Sequence, residues 1–201
     1  MFIQVIQGHV RDEERLRAGM DRWLAEFAPN ADGWLGGTYG ITDDGMFVGT
    51  VRFESEEAAR RNSQRPQQDA WWREMSECFD GEVTFHDCRD VMMFLGGGSD
   101  DAGFVQVIQG RVKDRDRMHS LIEQTDSVLA SERPEIIGGT IAIDDDGIVT
   151  ETVAFTSEAE AREGEQRELS AMARQLMDEE RALLEDVHYL DLHEPWFASH
   201  R

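Results

Sequence analysis

The first apolar stretch, Phe2-Ile3-Gln4-Val5-Ile6-Gln7-Gly8, is rich in β-branched residues and stops at glycine, which predicts a short buried strand. The period then changes. Leu16, Met20, Trp23, Leu24 and Phe27 recur at helical spacing, and Asp12 stands where an N-cap is needed. Strand patterning returns over 34–42 and 46–54, with Asp43-Asp44-Gly45 between them as a hairpin turn. Ser55 opens a second helix that Pro66 is expected to break or kink, and a last strand covers roughly 82–94. The order is β-α-β-β-α-β.

The same order is then written again. Phe104-Val105-Gln106-Val107-Ile108-Gln109-Gly110 repeats the first strand at an offset of 102, and 26 of the 65 positions in 2–66 are identical to their partners in 104–168. Asp114 replaces Asp12 as cap, and Met118, Leu121, Ile122, Thr125 and Leu129 repeat the helical stripe. The hairpin strands reappear as 136–143 and 148–155, Ser157-x-x-Glu160 fits a capping box, and the last strand falls at 187–193. Without a proline, the second helix of this copy is expected to run on to about Asp186. Gly96–Gly103 reads as a flexible linker, which divides the chain into repeat 1 (1–95), linker (96–103) and repeat 2 (104–201). Gly36-Gly37 and Gly138-Gly139 enter strands rather than helices and lack a following lysine, so they read as β-bulge or close-approach positions and not as a phosphate loop.

Charge narrows the partners. Forty-two acids against 20 bases leave a net charge of −22, with −8 on the first repeat, −2 on the linker and −12 on the second repeat. Nucleic acid and anionic membranes are not expected partners, because both draw on clustered bases. No run is long and apolar enough for a membrane span, and no leader pattern opens the chain. Cys78 and Cys88 form neither a disulfide framework nor a C-x-x-C motif, which fits a cytoplasmic protein with reduced thiols. The acidic runs Asp178-Glu179-Glu180 and Glu185-Asp186 read as the solvated face of a helix.

Phe53-x-Ser55-x-x-Ala58-Ala59 at the second helix and Phe79-Asp80-Gly81-x-Val83 at the last strand carry a resemblance. With the β-α-β-β-α-β order, the chain resembles the antibiotic-biosynthesis-monooxygenase-like branch of the dimeric α+β barrel superfamily. The resemblance implies an α+β protein whose two ferredoxin-like repeats form one intramolecular pseudo-dimeric barrel, with further homo-oligomerisation open. That superfamily spans cofactor-free monooxygenases, haem enzymes, isomerases and members without known activity, so fold alone does not assign function. A haem-degrading relative would have Asn on the first strand and Trp and His on the second helix. Here Gln4 and Gln7, then Asn62 and Ala70, stand instead, and Trp71 and Trp72 come later with no following histidine. His119 is the only helical histidine and lies beside the apolar stripe. No cofactor and no metal are expected.

Individual residues keep two readings each. Gln4 and Gln106 share a strand face with apolar neighbours, so each either bonds across the two halves or anchors a ligand in a pocket. Thr38, Thr140, Thr50 and Thr152 invite the same pair of readings. Arg52, whose partner is Ala154, is an exposed strand base or the group that meets an acidic ligand. His86 is structural or catalytic, but its neighbour Asp87 points to the opposite face, so the two are no dyad. Trp23, Trp34, Trp71 and Trp72 lack Trp partners in the second copy. They build either a bulkier core or a pocket, which would then be expected in the first repeat. The tail Glu194-Pro195-Trp196-Phe197 closes over the barrel or mediates assembly. The leading expectation is a small-molecule-binding protein. The alternatives are a cofactor-independent monooxygenase or isomerase, with Gln4, Arg52 and His86 orienting an enol and moving its proton, and a solid-packed structural or stress-associated protein.

Overall fold

The computed structural model describes residues 1–199; His200 lies outside them. The elements follow the duplicated order. Repeat 1 supplies β1 (Phe2–Val10), α1 (Glu13–Glu26), β2 (Trp34–Ile41), β3 (Met46–Phe53), α2 (Glu56–Ser63), α3 (Pro66–Ser76) and β4 (Phe79–Phe94). Repeat 2 supplies β5 (Phe104–Val112), α4 (Arg115–Glu132), β6 (Ile136–Asp144), β7 (Ile148–Phe155), α5 (Glu158–Glu165), α6 (Ala171–Ala182), β8 (Leu184–Leu192) and β9 (Trp196–Ser199). The four expected caps form, with Asp12, Ser55, Asp114 and Ser157 each accepting from a backbone N–H in the first turn of its helix.

Two compact units result, one of residues 1–89 with 196–199 and one of 90–195. In the first, the antiparallel order is β4-β1-β3-β2-β9. The tail is therefore a strand, in which Trp196–Ser199 pair with Tyr39–Gly36 of β2, rather than a loose closure. In the second unit the order is β8-β5-β7-β6, and the end of β4 from Asp90 onward is the strand beyond β6. Both glycine pairs make the expected bulges. The register shifts between Trp34 and Gly36 and between Ile136 and Gly138, and the glycine φ values are +133 and +145, a region open to glycine at little cost.

One helical expectation fails. The second helix of repeat 2 breaks without a proline, ending at Glu165 and restarting at Ala171. Ser170 caps the restart, and Glu132 of α4 holds it by accepting from its N–H at 2.8 Å and its hydroxyl at 2.6 Å. The two repeats thus share a broken helix for different local reasons.

In each unit the even-numbered residues of the first strand face the helices. Phe2 and Ile6 meet Leu16, Met20 and Trp23 of α1 and Trp71 and Met75 of α3. Gly19 has no side chain because Met75 occupies that space. In the second unit Phe104 and Ile108 meet Met118 and Ile122 of α4. Among the described residues, no helix is long and apolar enough to cross a membrane.

Candidate functional site

The two helix-to-sheet interiors are built on one backbone plan but filled differently. In repeat 1, Trp23 packs edge-on to Trp34 at 5.1 Å and lies 6.3 Å from Trp71. Their indole groups are also tied down, Trp71 Nε1 donating to Gly19 O at 2.9 Å and Trp23 Nε1 to Gln68 Oε1 at 2.5 Å. Only about 70 Å³ stays open there, with Gln4 and Trp71 on its wall. In repeat 2, Thr125 and Ile136 stand where Trp23 and Trp34 would be, and a cavity of about 580 Å³ remains. The large pocket is therefore in the second repeat, against the sequence expectation. The aromatic residues of the first repeat fill its interior instead of lining one.

The cavity floor is the helix-facing side of three strands. Register places Ile108 beside Glu151 and Gln106 beside Val153, with Tyr189 and Asp191 on the other flank of β5. Phe155, Ile136 and Phe94 add apolar wall, and Leu129, Leu169 and Met177 come from the helical side. This is the mix of an apolar lining with few polar groups that small-molecule pockets use.

The polar groups divide into committed and spare. Gln106 Nε2 donates to Asp191 Oδ1 at 2.8 Å, and Gln4 Nε2 donates to Asp87 Oδ1 at 2.8 Å, so the same cross-strand pair occurs in both repeats. Each amide bonds within its own unit, which replaces the expectation of a bond across the halves. Arg162 is committed to Asp191, to Glu165 at 3.0 Å and to Glu158 at 3.4 Å. Its burial would favour losing the proton, but the bonds to Asp191 and Glu165 outweigh that and hold the guanidinium charged. Arg133, 5% exposed, donates to the buried Glu135, which also receives Arg167 at 2.9 Å. Burial alone would raise the Glu135 carboxyl; the arginine hydrogen bonds prevail and hold it below the usual range.

Glu151 and Glu180 are different. Glu151 occupies the place of Gly49 of repeat 1, on the inward face of β7, and Glu180 reaches the same cavity from α6. Burial raises the Glu151 carboxyl well above its ordinary value, and the neighbouring Glu180 raises it further. Burial lifts Glu180 to about 7, with Arg181 pulling the other way. Sequence reading placed Glu180 on a solvated face. Its neighbours Asp178, exposed, and Glu179, paired with Arg117, fit that reading better.

Of the residues singled out in the sequence, Gln4 and Trp71 meet at the small cavity of repeat 1, and Gln106 reaches the large one. Arg52 pairs in register with Ile3, Thr38 with Thr50, and His86 with Val5, so these three lie on the sheet face opposite Gln4. Thr38 is buried there, and Thr50 Oγ1 donates to its carbonyl at 3.4 Å. His119 is held by Asp90 at 2.7 Å. Thr125 donates its hydroxyl to Leu121 O at 2.9 Å, the usual bond of a threonine inside a helix.

No family model matches the chain, and no curated protein matches it. Solved structures do. A protein from Lactobacillus acidophilus NCFM, named as a candidate monooxygenase, superposes with a TM-score of 0.71 at 12% identity, over 95% of this chain and 92% of that one. A protein named anthrone oxidase-like superposes at 0.68 and 9% identity, over 99% and 91%. A Listeria monocytogenes 4b F2365 ferredoxin-fold protein, named as related to antibiotic biosynthesis monooxygenases, reaches 0.50 at 10% identity, over 100% and 96%.

Proposed function

From the antibiotic-biosynthesis-monooxygenase-like fold that these likenesses show, we propose that the chain binds a small, largely apolar molecule in the cavity of repeat 2. One observation carries this reading: about 580 Å³ lies open between sheet and helices in repeat 2, where tryptophans leave about 70 Å³ in repeat 1. A volume of that size suits a molecule of two or three rings.

The test uses N-phenyl-1-naphthylamine, an uncharged dye whose emission rises in apolar surroundings. Wild-type protein is expected to bind it saturably, with one site per chain. Thr125→Trp and Ile136→Trp put the bulk of repeat 1 back into repeat 2, so both variants are expected to lose the signal while keeping the wild-type far-UV circular dichroism. Undiminished binding in both well-folded variants would move the site elsewhere.

A second reading is favoured by the names of the neighbours, which point to oxygen chemistry, and by a cavity that contains carboxyl groups of raised proton affinity. In that reading the chain is a cofactor-independent oxygenase or isomerase of an aromatic, polyketide-like molecule, and a cavity carboxylate removes the proton from carbon. Anthrone oxidation followed with an oxygen electrode separates the readings. Turnover lost in Glu151→Gln supports the enzyme, and binding without turnover leaves the binder.

A further inference from the structure

We propose that the ligand of the repeat 2 cavity carries a protonated amine on its apolar body, and that Glu151 and Glu180 are the paired carboxyls that receive it. The inference rests on the cavity being the ligand site, and it follows from which polar groups there are already used.

The donors on the inner part of the wall are already paired, while Tyr189 and Arg181 sit at its exposed rim. Arg162, from α5, is held by three carboxylates, and Arg133, after α4, is turned to Glu135. Thr125 of α4 gives its hydrogen to Leu121 O, and Gln106 of β5 gives its amide hydrogen to Asp191. The acceptors are spare. Gln106 is only 9% exposed, and among the described residues nothing donates to its amide oxygen. Among the described residues, no hydrogen bond reaches the side-chain carboxyl of Glu151 or of Glu180. A ligand that satisfied this wall must donate.

The balance of charge agrees. Asp191 of β8 and Glu165 of α5 each have an ion pair with Arg162, whereas Arg181 beside Glu180 is exposed. Tyr189 of β8 adds a phenol at the exposed rim of the wall. The carboxyl pair is thus the part of the wall whose charge no buried cation answers. Two half-buried carboxyls on one cavity wall, one raising the proton affinity of the other, hold a proton rather than both ionising. An ammonium changes that, because its charge makes the second ionisation favourable. Binding therefore releases a proton to solvent while the ammonium keeps its own. The deeply acidic surface favours approach of a cation as well.

Tryptamine and its alcohol analogue tryptophol are suitable probes, since an indole is the group that repeat 1 places in the equivalent space. Displacement of N-phenyl-1-naphthylamine and titration calorimetry give both affinities. At pH 8 tryptamine is expected to bind about tenfold tighter than tryptophol, the scale of one charge-assisted hydrogen bond. The preference is expected to shrink at pH 5.5, where the pair is protonated, because the proton must then be displaced. Calorimetry at pH 7 in phosphate and in Tris is expected to differ by the heat of about one released proton for tryptamine and none for tryptophol. Glu151→Gln and Glu180→Gln each remove the preference and the proton release while the neutral dye still binds. Equal affinity of amine and alcohol at pH 8, or a preference that survives both substitutions, overturns the proposal while the dye result leaves the cavity reading standing. Failure of the dye itself to bind overturns both.

Discussion

Replacing Glu180 by glutamine is expected to stabilise the protein, and only above the pH at which an ordinary glutamate ionises. Burial lifts the Glu180 carboxyl from 4.5 to about 7 in the folded chain. The folded state therefore holds this proton after the unfolded chain has released it. Stability from this group is full below about pH 4.5, falls as pH rises, and levels off above 7. A displacement of that size corresponds to about 3 kcal/mol. The side chain is half-buried beside an open cavity, so water reduces this, and about 3 kcal/mol is an upper value. Glu180→Gln has no ionisation to lose. Its stability is expected to equal wild type near pH 4.5 and to exceed it by about 1–3 kcal/mol at pH 8.

The probe matters. All five tryptophans (23, 34, 71, 72 and 196) belong to the first unit, while Glu180 belongs to the second. Urea unfolding must accordingly be followed by far-UV circular dichroism, which senses both units, with tryptophan fluorescence as an internal control. A difference between variant and wild type that is constant from pH 5 to pH 8 would refute the burial argument. So would a variant that is less stable at pH 8.

Trp23→Thr carries the second repeat's residue into the first. It is expected to cost about 3–5 kcal/mol in fluorescence-detected unfolding and to create a second site for the naphthylamine dye. Glu135→Gln leaves the Arg133 guanidinium buried with a weakened partner, and a loss of about 3 kcal/mol is expected by circular dichroism at pH 7. Because the Glu135 carboxyl is held below its usual range, its contribution is present above about pH 4.5 and lost as acid titrates it, so that deficit narrows toward pH 3. Asp114→Ala removes the acceptor for Arg117 N at 2.9 Å and is expected to cost about 1 kcal/mol, with the dye affinity unchanged.

The parts legible in the sequence were those set by local spacing. Strand alternation, the four caps, the Asp-Gly hairpins and the glycine bulges depend on residues a few positions apart, and the duplication displayed each of them twice. What escaped depends on distant partners. Ser170 restarts a helix because Glu132, far back on α4, holds it. Trp196 joins a sheet because β2 has an edge to offer it. The location of the cavity is a third case: of the two readings of the repeat 1 tryptophans the bulkier core holds, and their volume closes a pocket there instead of lining one. A usable signal was present at Glu151, an acid alternating with Val153 and Phe155 on an inward strand face where repeat 1 has glycine.

The duplication also separates what shapes the fold from what shapes the site. The Gln–Asp pair is made at the same length in both repeats, yet only one of them encloses a sizeable cavity. A pair kept where there is no room for a ligand is explained by the sheet itself, as a cross-strand bond between β1 and β4 or between β5 and β8. The pocket follows instead from positions where the repeats disagree. Tryptophan against Thr125 and against Ile136 opens the space, and glycine against Glu151 puts an acid into it. The same contrast bears on Arg60 and Arg162. Both are arginine, but Arg60 is exposed while Arg162 is drawn onto Asp191 at the cavity wall. The Gln–Asp pair therefore reports on architecture, and it is the unshared residues of repeat 2 that open the cavity and place an acid in its wall.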